Sequence, residues 1–260
     1  MSRFPILLTN DDGINSPGLQ HLASSLHSLG HPIAILAPLT EQSAVGMKLT
    51  LRDDMAFEEH TDIAEKIRTD ESVPLRAFSL DGSPCDCVIV AIDGGLRSWA
   101  PEIRPWLCIS GINRGPNLSV DVLHSGTVSA AREASLYGLP SLSVSLATYS
   151  HQDYSQSIEA TLALVERLSE LVTVEPSNIL RPEGSRTRPI EGTGPNSLRS
   201  WFMQGNMFLN LNIPEDWNGT FQTVPLGARW YHNATDMIDQ KLSLIHISEP
   251  TRRRGISYAV

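Results

Sequence analysis

The chain has 260 residues, 41% of them hydrophobic and 19% charged, which is enough apolar sequence for a buried core and excludes a disordered protein. Lys and Arg number 20 against 29 Asp and Glu, and this net charge of −9 argues against a protein that coats nucleic acid. No apolar run approaches the ~20 residues of a membrane span, and the first residues lack a signal-peptide pattern. Three cysteines, an odd number, disfavour a disulfide framework and predict a reducing, cytoplasmic location.

Strands and helices alternate along the chain, because apolar residues recur first at the spacing of a buried strand and then at that of a helix. The predicted elements are, in chain order, strand 4–9, helix 18–29, strand 32–37, short strands 48–51 and 75–79, helix 84–92, strand 106–110, helix 127–137, strand 141–146, helix 154–171 and strand 208–213. The charged residues 52–71 predict an exposed loop or an excursion at the sheet edge. Strands that are apolar on both faces predict an α/β fold with a mostly parallel sheet covered by helices.

Residues 175–197 break this regular pattern. They include four prolines and three glycines with little periodicity, which predicts a flexible surface insertion. The pattern on either side of the insertion fits one domain over residues 1–241, with no internal repeat.

Polar residues follow two of the predicted strands, where ligands of parallel sheets bind. Asn10, Asp11, Asp12 and Gly13 come directly after the first strand, and Asn113 lies in a Gly- and Asn-rich loop after another. Two adjacent carboxylates repel each other unless a cation or donors compensate, and hard divalent ions take carboxylate and amide oxygens. The pattern therefore predicts either a metal site or a pair of aspartates that only cap the following helix.

A third cluster, His124 to Thr127, stands just before a predicted helix. Ser125, Gly126 and Thr127 would let backbone N–H groups at the helix start hold a phosphate, although the same residues also fit an ordinary N-cap. His124 could act as a general acid or base, but a lone histidine is more often structural. The chain has no P-loop, no dinucleotide fingerprint after the first strand and no nucleophile elbow.

Several segments, taken in order, resemble the SurE family. They are ILLTNDDGINSPGLQHL, EQSAVG, DGSPCDCVIVAI, ISGINRGPNLSVDVLHSGTVSAAREASLYGLPSLSVSL and FLNLNIP. The resemblance is close over residues 4–150 and looser over residues 154–240. It implies a three-layer α/β/α fold with a doubly wound, mostly parallel, Rossmann-like sheet and a C-terminal β-hairpin or arm. It also implies a metal-dependent 5′/3′-nucleotidase that hydrolyses nucleoside monophosphates. Such an enzyme is a phosphoric monoester hydrolase of the 5′-nucleotidase or acid phosphatase type.

The resemblance also implies roles for individual residues. One divalent ion, Mg²⁺ or Mn²⁺ with Ca²⁺ also possible, would be held by Asp11, Asp12, Ser43 and Asn113, and only the resemblance points to Ser43. Asp11, Asp12 and Asn113 would be the catalytic residues. The residues implied for phosphate binding are Ser125, Gly126 and Thr127, with Asn10 and Gly13 lining the same pocket. The implied partners are a small nucleotide and further copies of the chain in a homodimer or homotetramer, not a nucleic acid polymer or a membrane.

The chain departs from the family pattern in two places. Val45, Gly46 and Met47 stand where the family usually has Thr-Gly-His, which affects substrate contacts from that loop. The closing C-terminal strand of the family is absent, and residues 242–252, LSLIHISEPTR, match the translation of a transposase-type sequencing adapter. We expect a domain truncated at its C-terminus and a non-native tail over residues 242–260, although LSLIHIS also alternates like a natural strand.

Two other functions remain open at this level. A phosphatase that works through an aspartyl-phosphate uses two aspartates that are two residues apart, whereas Asp11 and Asp12 are adjacent. A nucleotide-binding or sensing protein without turnover would fit the altered loop and the missing C-terminal strand.

Overall fold

A seven-stranded sheet forms the centre of the computed structural model, which describes residues 3–173, 175–176, 179–180, 195–228, 235–238 and 241–244. Its strands are β1 (Ile6–Thr9), β2 (Ile33–Pro38), β3 (Phe57–Glu59), β4 (Leu75–Leu80), β5 (Leu107–Arg114), β6 (Ser141–Leu146) and β7 (Leu209–Ile213). Their order is β3-β4-β2-β1-β5-β6-β7, and every pairing is parallel except that of the edge strand β3 with β4. The predicted mostly parallel sheet is confirmed.

Helices cover both faces of this sheet. They are α1 (Pro17–Ser28), α2 (Thr61–Ile67), α3 (Pro84–Val90), α4 (Leu96–Trp99), α5 (Asp121–His124), α6 (Gly126–Leu136), α7 (Ser155–Leu168) and α8 (Pro195–Met203), with a π-helical turn at Ala91–Gly95 between α3 and α4. Successive residues of β1 point to opposite faces, as they must in a strand. Ile6 and Leu8 belong to the core that α1, α2 and α7 cover, and Leu7 belongs to the core under α3 and α6. The fold therefore has the three predicted layers.

The order in which successive strands are added to the sheet reverses direction between β1 and β5. β2 and β4 lie on one side of β1, and β5, β6 and β7 follow on the other. Thr9 at the end of β1 is in register with Ser110 of β5, so the loops after these strands open into one crevice. Such a switch point is where open α/β sheets bind their ligands.

The predicted strand at residues 48–51 was wrong, because this segment has no neighbouring strand. The backbone N–H of Thr50 donates instead to the carboxylate of Asp86 at 3.0 Å, and the side chains of Leu49 and Leu51 are exposed. Residues 52–71 form the edge strand β3 and helix α2, which agrees with an excursion at the sheet edge.

Two helix boundaries also differ from the prediction. Helix α7 ends at Leu168, three residues early, and the hydroxyl of Ser169 donates to the carbonyl of Glu166 at that end. Helix α8 begins at Pro195, inside the predicted insertion, while residues 177–178 and 181–194 lie outside the described part of the chain.

A separate antiparallel hairpin follows the sheet, and its second strand includes residues 242–244 of the tail predicted to be non-native, which stays a prediction. It pairs β8 (Thr235–Ile238) with β9 (Lys241–Leu244), and residues 245–260 lie outside the described residues. No helix in the described ranges is both long and apolar enough to cross a bilayer.

Candidate active site

A cavity of about 270 Å³ opens at the carboxyl ends of β1 and β5. It brings together the four predicted metal ligands, although they come from two loops and from the end of strand β5. Its lining residues are Asp11, Asp12, Glu41, Ser43, Ala44, Asn113, Arg114, Pro116, Asn117, Asp121, His124, Ser125 and Tyr149. Four of these side chains are carboxylic acids and Arg114 is the one permanent cation among them, so the cavity is acidic overall.

Asn10 gives the loop after β1 its shape. Its side-chain amide donates to the carbonyl of Gly13 at 3.0 Å and to the hydroxyl of Ser16 at 2.8 Å, and its oxygen accepts from the Gly13 N–H at 3.2 Å. Neither Asn10 nor Gly13 is a lining residue of the cavity. These two residues, predicted to contact phosphate, instead form the turn that presents Asp11 and Asp12.

Asp11 is held by the first turn of helix α6. The backbone N–H of Thr127 donates to Asp11 Oδ2 at 3.0 Å, and the Thr127 hydroxyl donates to Oδ1. The carboxylate is only 4% exposed, and this burial raises its pKa while the two bonds from Thr127 oppose the rise. Because the positive end of a helix favours a negative charge, α6 stabilises the ionised form of Asp11.

Gly126 allows this close approach of the helix to the carboxylate. A Cβ atom at this position would lie 2.7 Å from Asp11 Cβ and 3.1 Å from the carbonyl oxygen of Gln42. Of the three residues predicted to cradle phosphate, only Ser125 lines the cavity, and its hydroxyl caps α6 by accepting from the Val128 N–H at 3.1 Å. The donors of Thr127 are used by Asp11.

Asp12 lies beside Asp11 and is half-buried. Burial, and then the negative charge of Asp11, raise the pKa of the Asp12 carboxyl to about 7. The Arg114 backbone N–H, 3.4 Å from Oδ2, opposes this rise only weakly. Two adjacent carboxylates in such surroundings are stabilised as anions by a nearby cation.

Ser43, from another loop, and Asn113 complete the predicted ligand set. Asn113 lies in β5, because that strand continues to Arg114, four residues beyond its predicted end. The loop of Ser43 is tied to the first turn after β1, since Gln42 N–H donates to the Asp11 carbonyl at 2.7 Å. The Ser43 hydroxyl donates to Glu41 Oε1 at 2.7 Å. Asn113 donates its amide to the Gly115 carbonyl at 2.9 Å, which commits its nitrogen and leaves its oxygen as the ligand atom.

The chemistry of these side chains fits a hard divalent cation. Two carboxylates, a hydroxyl and an amide are oxygen donors of the kind that Mg²⁺, Mn²⁺ and Ca²⁺ take, whereas zinc prefers nitrogen and sulfur. Within the described ranges, no group of three or more His, Cys, Asp or Glu side chains is arranged to hold a metal ion. Ser43 and Asn113 supply half of the candidate ligand set, so this set includes only two carboxylates.

Several residues that line the cavity were not predicted as site residues from the sequence. Arg114 and Asn117 lie within the Gly- and Asn-rich segment after β5, so proximity to Asn113 could have indicated them. Glu41 could have been found through its neighbour Ser43. Tyr149 comes from the loop after β6, and only the fold brings it to the cavity.

Asn117 links the loop after β5 to strands β6 and β7. Its side-chain amide donates to the Ser145 hydroxyl at 2.8 Å, and its backbone N–H donates to the side-chain oxygen of Asn212 at 2.8 Å. Its carbonyl in turn accepts from the side-chain amides of Asn210 and Asn212. The polar residues of β7 therefore fix one wall of the cavity.

A family model described as Survival protein SurE matches residues 6–235. The chain belongs to the SurE family. A solved SurE protein from Aquifex aeolicus superposes with a TM-score of 0.60 at 26% identity, over 92% of this chain and 82% of that one. The predicted family and its α/β fold are confirmed.

Curated members of the SurE family give the same result at higher identity. A protein named 5′-nucleotidase SurE from Syntrophotalea carbinolica is 43% identical over 167 residues, 64% of this chain and 59% of the relative. A protein of the same name from Synechococcus sp. (strain JA-3-3Ab) is 42% identical over 165 residues, 63% of this chain and 59% of the relative. The chain thus spans about three fifths of the length of these SurE relatives.

Proposed function

We propose that this SurE-family chain is a metal-dependent phosphomonoesterase that hydrolyses nucleoside 5′- or 3′-monophosphates to nucleoside and phosphate. The observation that carries the proposal is the convergence of Asp11, Asp12, Ser43 and Asn113 on one cavity at the switch point of the sheet. Relatives about 40% identical are named 5′-nucleotidases, which supports a nucleotide as the substrate. Within the phosphoric monoester hydrolases, we propose that this chain is of the 5′-nucleotidase type.

The four ligand residues would hold one divalent ion, Mg²⁺ or Mn²⁺. Such an ion, when bound, neutralises phosphate charge and lowers the pKa of a coordinated water. The contribution of the chain is to keep the ligand oxygens in place: Thr127 orients the Asp11 carboxylate, and the bond to Gly115 fixes the Asn113 amide.

Other cavity residues fit the remaining needs of phosphate ester hydrolysis. Arg114 carries the one permanent positive charge among the residues that line the cavity. Its guanidinium suits a phosphate dianion. The imidazole of His124 lines the same cavity and is the group there best suited to donate a proton to the leaving oxygen. The carboxylates cannot bind phosphate directly, because like charges repel.

The proposal is tested by measuring phosphate release from a panel of nucleoside 5′- and 3′-monophosphates with and without Mg²⁺ or Mn²⁺. We expect release that needs the metal and that is lost when Asp11 and Asp12 are both changed to Asn. Activity that survives the double change would reject the proposed site. Tight nucleotide binding without phosphate release would support the sensing function instead.

We further propose a cytoplasmic location and a homo-oligomeric assembly. The three cysteines, Cys85, Cys87 and Cys108, are free and buried, which suits a reducing compartment. Burial raises the pKa of Cys85 and of Cys108 to about 12, so these thiols are unreactive. Sedimentation velocity tests the assembly, and a monomer at micromolar concentration would reject it.

A further inference from the structure

We propose that Asn212 of the edge strand β7 is a positioning residue for nucleotide binding, which holds one wall of the cavity through Asn117. The inference rests on the proposed function and deepens it, because it assigns a part in substrate binding to a residue that does not line the cavity. Asn117 does line the cavity, and Asn212 bonds to its backbone. Substrate and metal would then be held by separate anchors in the fold.

The side-chain amide of Asn212 pairs with both backbone polar groups of Asn117. Its oxygen accepts from the Asn117 N–H at 2.8 Å, and its nitrogen donates to the Asn117 carbonyl at 3.1 Å. Two bonds from one planar amide fix the orientation of the Asn117 backbone as well as its position. Asn117 is only 5% exposed, so water would replace these bonds poorly if Asn212 were lost.

The sheet directs Asn212 at Asn117. Leu211 packs against the core that α1, α2 and α7 cover, so its neighbour Asn212 points to the opposite face of the sheet. On that face Asn212 is in register with Ser145 of β6, whose hydroxyl accepts from the Asn117 side-chain amide at 2.8 Å. Asn210, on the same face of β7, donates to the Asn117 carbonyl at 3.0 Å. Side chains of one sheet face therefore converge on Asn117.

The position of Asn117 in the chain explains why its partners are side chains. Strand β5 ends at Arg114, so Asn117 lies in the loop that follows and has no neighbouring strand to pair with. Buried backbone N–H and C=O groups still need partners. An asparagine amide offers both a donor and an acceptor, which is the combination that a backbone N–H and C=O require together. The loop therefore takes its shape from β7.

The candidate metal ligand Asn113 has an anchor of its own. It lies in β5, and its amide donates to the Gly115 carbonyl at 2.9 Å. The Gly115 N–H in turn donates to the Leu146 carbonyl at 3.0 Å, at the end of β6. These bonds precede Asn117 in the chain and do not involve Asn212. Loss of Asn212 should therefore move the cavity wall that follows Gly115 and leave the metal ligands in place.

The test compares Asn212→Ala with the wild type on a nucleoside 5′-monophosphate at saturating Mn²⁺. We expect KM to rise about tenfold and kcat to change by less than about threefold, because a wall that contacts the substrate throughout the reaction affects binding more than chemistry. Isothermal titration calorimetry should find an Mn²⁺ affinity within about threefold of the wild type, because Asn212 supports no metal ligand. This difference between nucleotide and metal distinguishes positioning of the wall from a general loss of structure.

A second variant and a control accompany this comparison. Asn212→Asp keeps the size of the side chain and the acceptor for the Asn117 N–H but loses the donor, so its KM should lie between those of the wild type and Asn212→Ala. Asn218→Ala is the matched control, since the Asn218 side chain accepts from the Thr220 N–H at 3.1 Å in an exposed turn outside the cavity lining. Its KM should stay within about twofold of the wild type.

Two results would overturn the inference. One is an unchanged KM in Asn212→Ala, which would make Asn212 a structural residue only, even if urea denaturation shows a lower stability. The other is an Mn²⁺ affinity that falls as much as the nucleotide affinity, which would show that the whole site has lost its structure. If Asn212→Ala does not fold, Asn212→Asp is judged by the same two criteria.

Failure of the proposed function has a different signature. If the wild type releases no phosphate from any nucleotide, the hydrolase proposal fails, and calorimetric titration of the nucleotide in the presence of Mn²⁺ then tests Asn212. Binding that is about tenfold weaker in Asn212→Ala would support the inference. Equal binding by the two proteins, or no binding by the wild type, would reject it.

Discussion

The backbone N–H and the hydroxyl of Thr127 both donate to the carboxylate of Asp11, one to each oxygen. Helix α6 therefore directs its N-terminal donors at a side chain of the same protein. In the hydrolytic site that we propose, this arrangement orients the Asp11 carboxylate and opposes the rise in its pKa that burial causes. Residues that hold a ligand residue in this way often matter almost as much as the ligand itself.

Thr127→Val tests this relationship, because it removes the hydroxyl and keeps the size of the side chain. We expect the affinity for Mn²⁺ to fall by about 10- to 100-fold, the usual effect of losing such a partner. Isothermal titration calorimetry measures it. Thr161→Val is the matched control, since the buried Thr161 hydroxyl donates to the Ser157 carbonyl, away from the cavity. If both variants bind Mn²⁺ like the wild type, the Thr127 hydroxyl does not support the site.

Gly126→Ala is expected to weaken both folding and metal binding. In an open helix position, alanine would be better than glycine by up to about 1 kcal/mol. Here the added methyl group would lie 2.7 Å from Asp11 Cβ, so the helix start or the carboxylate must shift. We expect a loss of roughly 1–3 kcal/mol in the free energy of unfolding, measured by urea denaturation.

The control for that experiment is Gly227→Ala, where a Cβ would meet nothing within 4 Å. We expect a change of less than about 0.5 kcal/mol in this variant. A Gly126→Ala protein as stable as the wild type, with unchanged Mn²⁺ affinity, would contradict the close packing of α6 on Asp11.

Asp86 anchors the far end of the loop that carries Ser43. Its buried carboxylate accepts from the N–H of Thr50 at 3.0 Å, from the Thr50 hydroxyl at 2.8 Å and from the Ser83 N–H at 2.8 Å. Asp86→Ala leaves these donors without a partner, so we expect it to destabilise the fold by about 3 kcal/mol. Asp81→Ala, at an exposed carboxylate nearby, should cost far less, and equal losses in urea denaturation would show that Asp86 is no anchor.

Much of this architecture could be predicted from local sequence. Helix α3 begins with a capping box of Ser83 and Asp86 and has Pro84 at its first position, both of which are local signals of a helix start. The aspartate pair after β1 and Asn113 near the end of β5 reach one cavity because the ends of neighbouring parallel strands meet.

The contact of Thr127 with Asp11 could not be predicted from the sequence. Thr127 and Asp11 are 116 residues apart, and no local pattern shows that they meet. Residues 48–51 are predicted to be a short strand, but a strand also needs a neighbour, and Thr50 bonds to Asp86 instead. Tyr149 could not be predicted as a lining residue, because only the fold brings the loop after β6 to the cavity.

The stability of the fold should depend on pH through His31. Burial lowers the pKa of His31, whose Nδ1 lies 3.0 Å from the Phe4 carbonyl oxygen. Below a pH of about 6.5 the unfolded chain takes up a proton that the folded chain resists, so the free energy of unfolding falls as the pH drops. Above a pH of about 6.5, His31 is neutral in both the folded and the unfolded chain, so it does not make the free energy of unfolding depend on pH.

His31→Asn is expected to flatten this fall, and His21→Asn, at an exposed histidine, is expected to leave it intact. Urea denaturation between pH 5 and pH 8 measures the difference between wild type and variant. An identical pH dependence in wild type and His31→Asn would show that His31 is not the group responsible.

Titration of Mn²⁺ into the wild type and into the Asp11→Asn/Asp12→Asn double variant tests the proposed metal centre most directly. Calorimetry should show about one ion bound per wild-type chain, and the double variant should bind it at least about 100-fold more weakly. Both variant side chains keep nearly the original volume, so the comparison isolates the two charges. Equal Mn²⁺ affinity in the two proteins would contradict a metal site at the ends of β1 and β5.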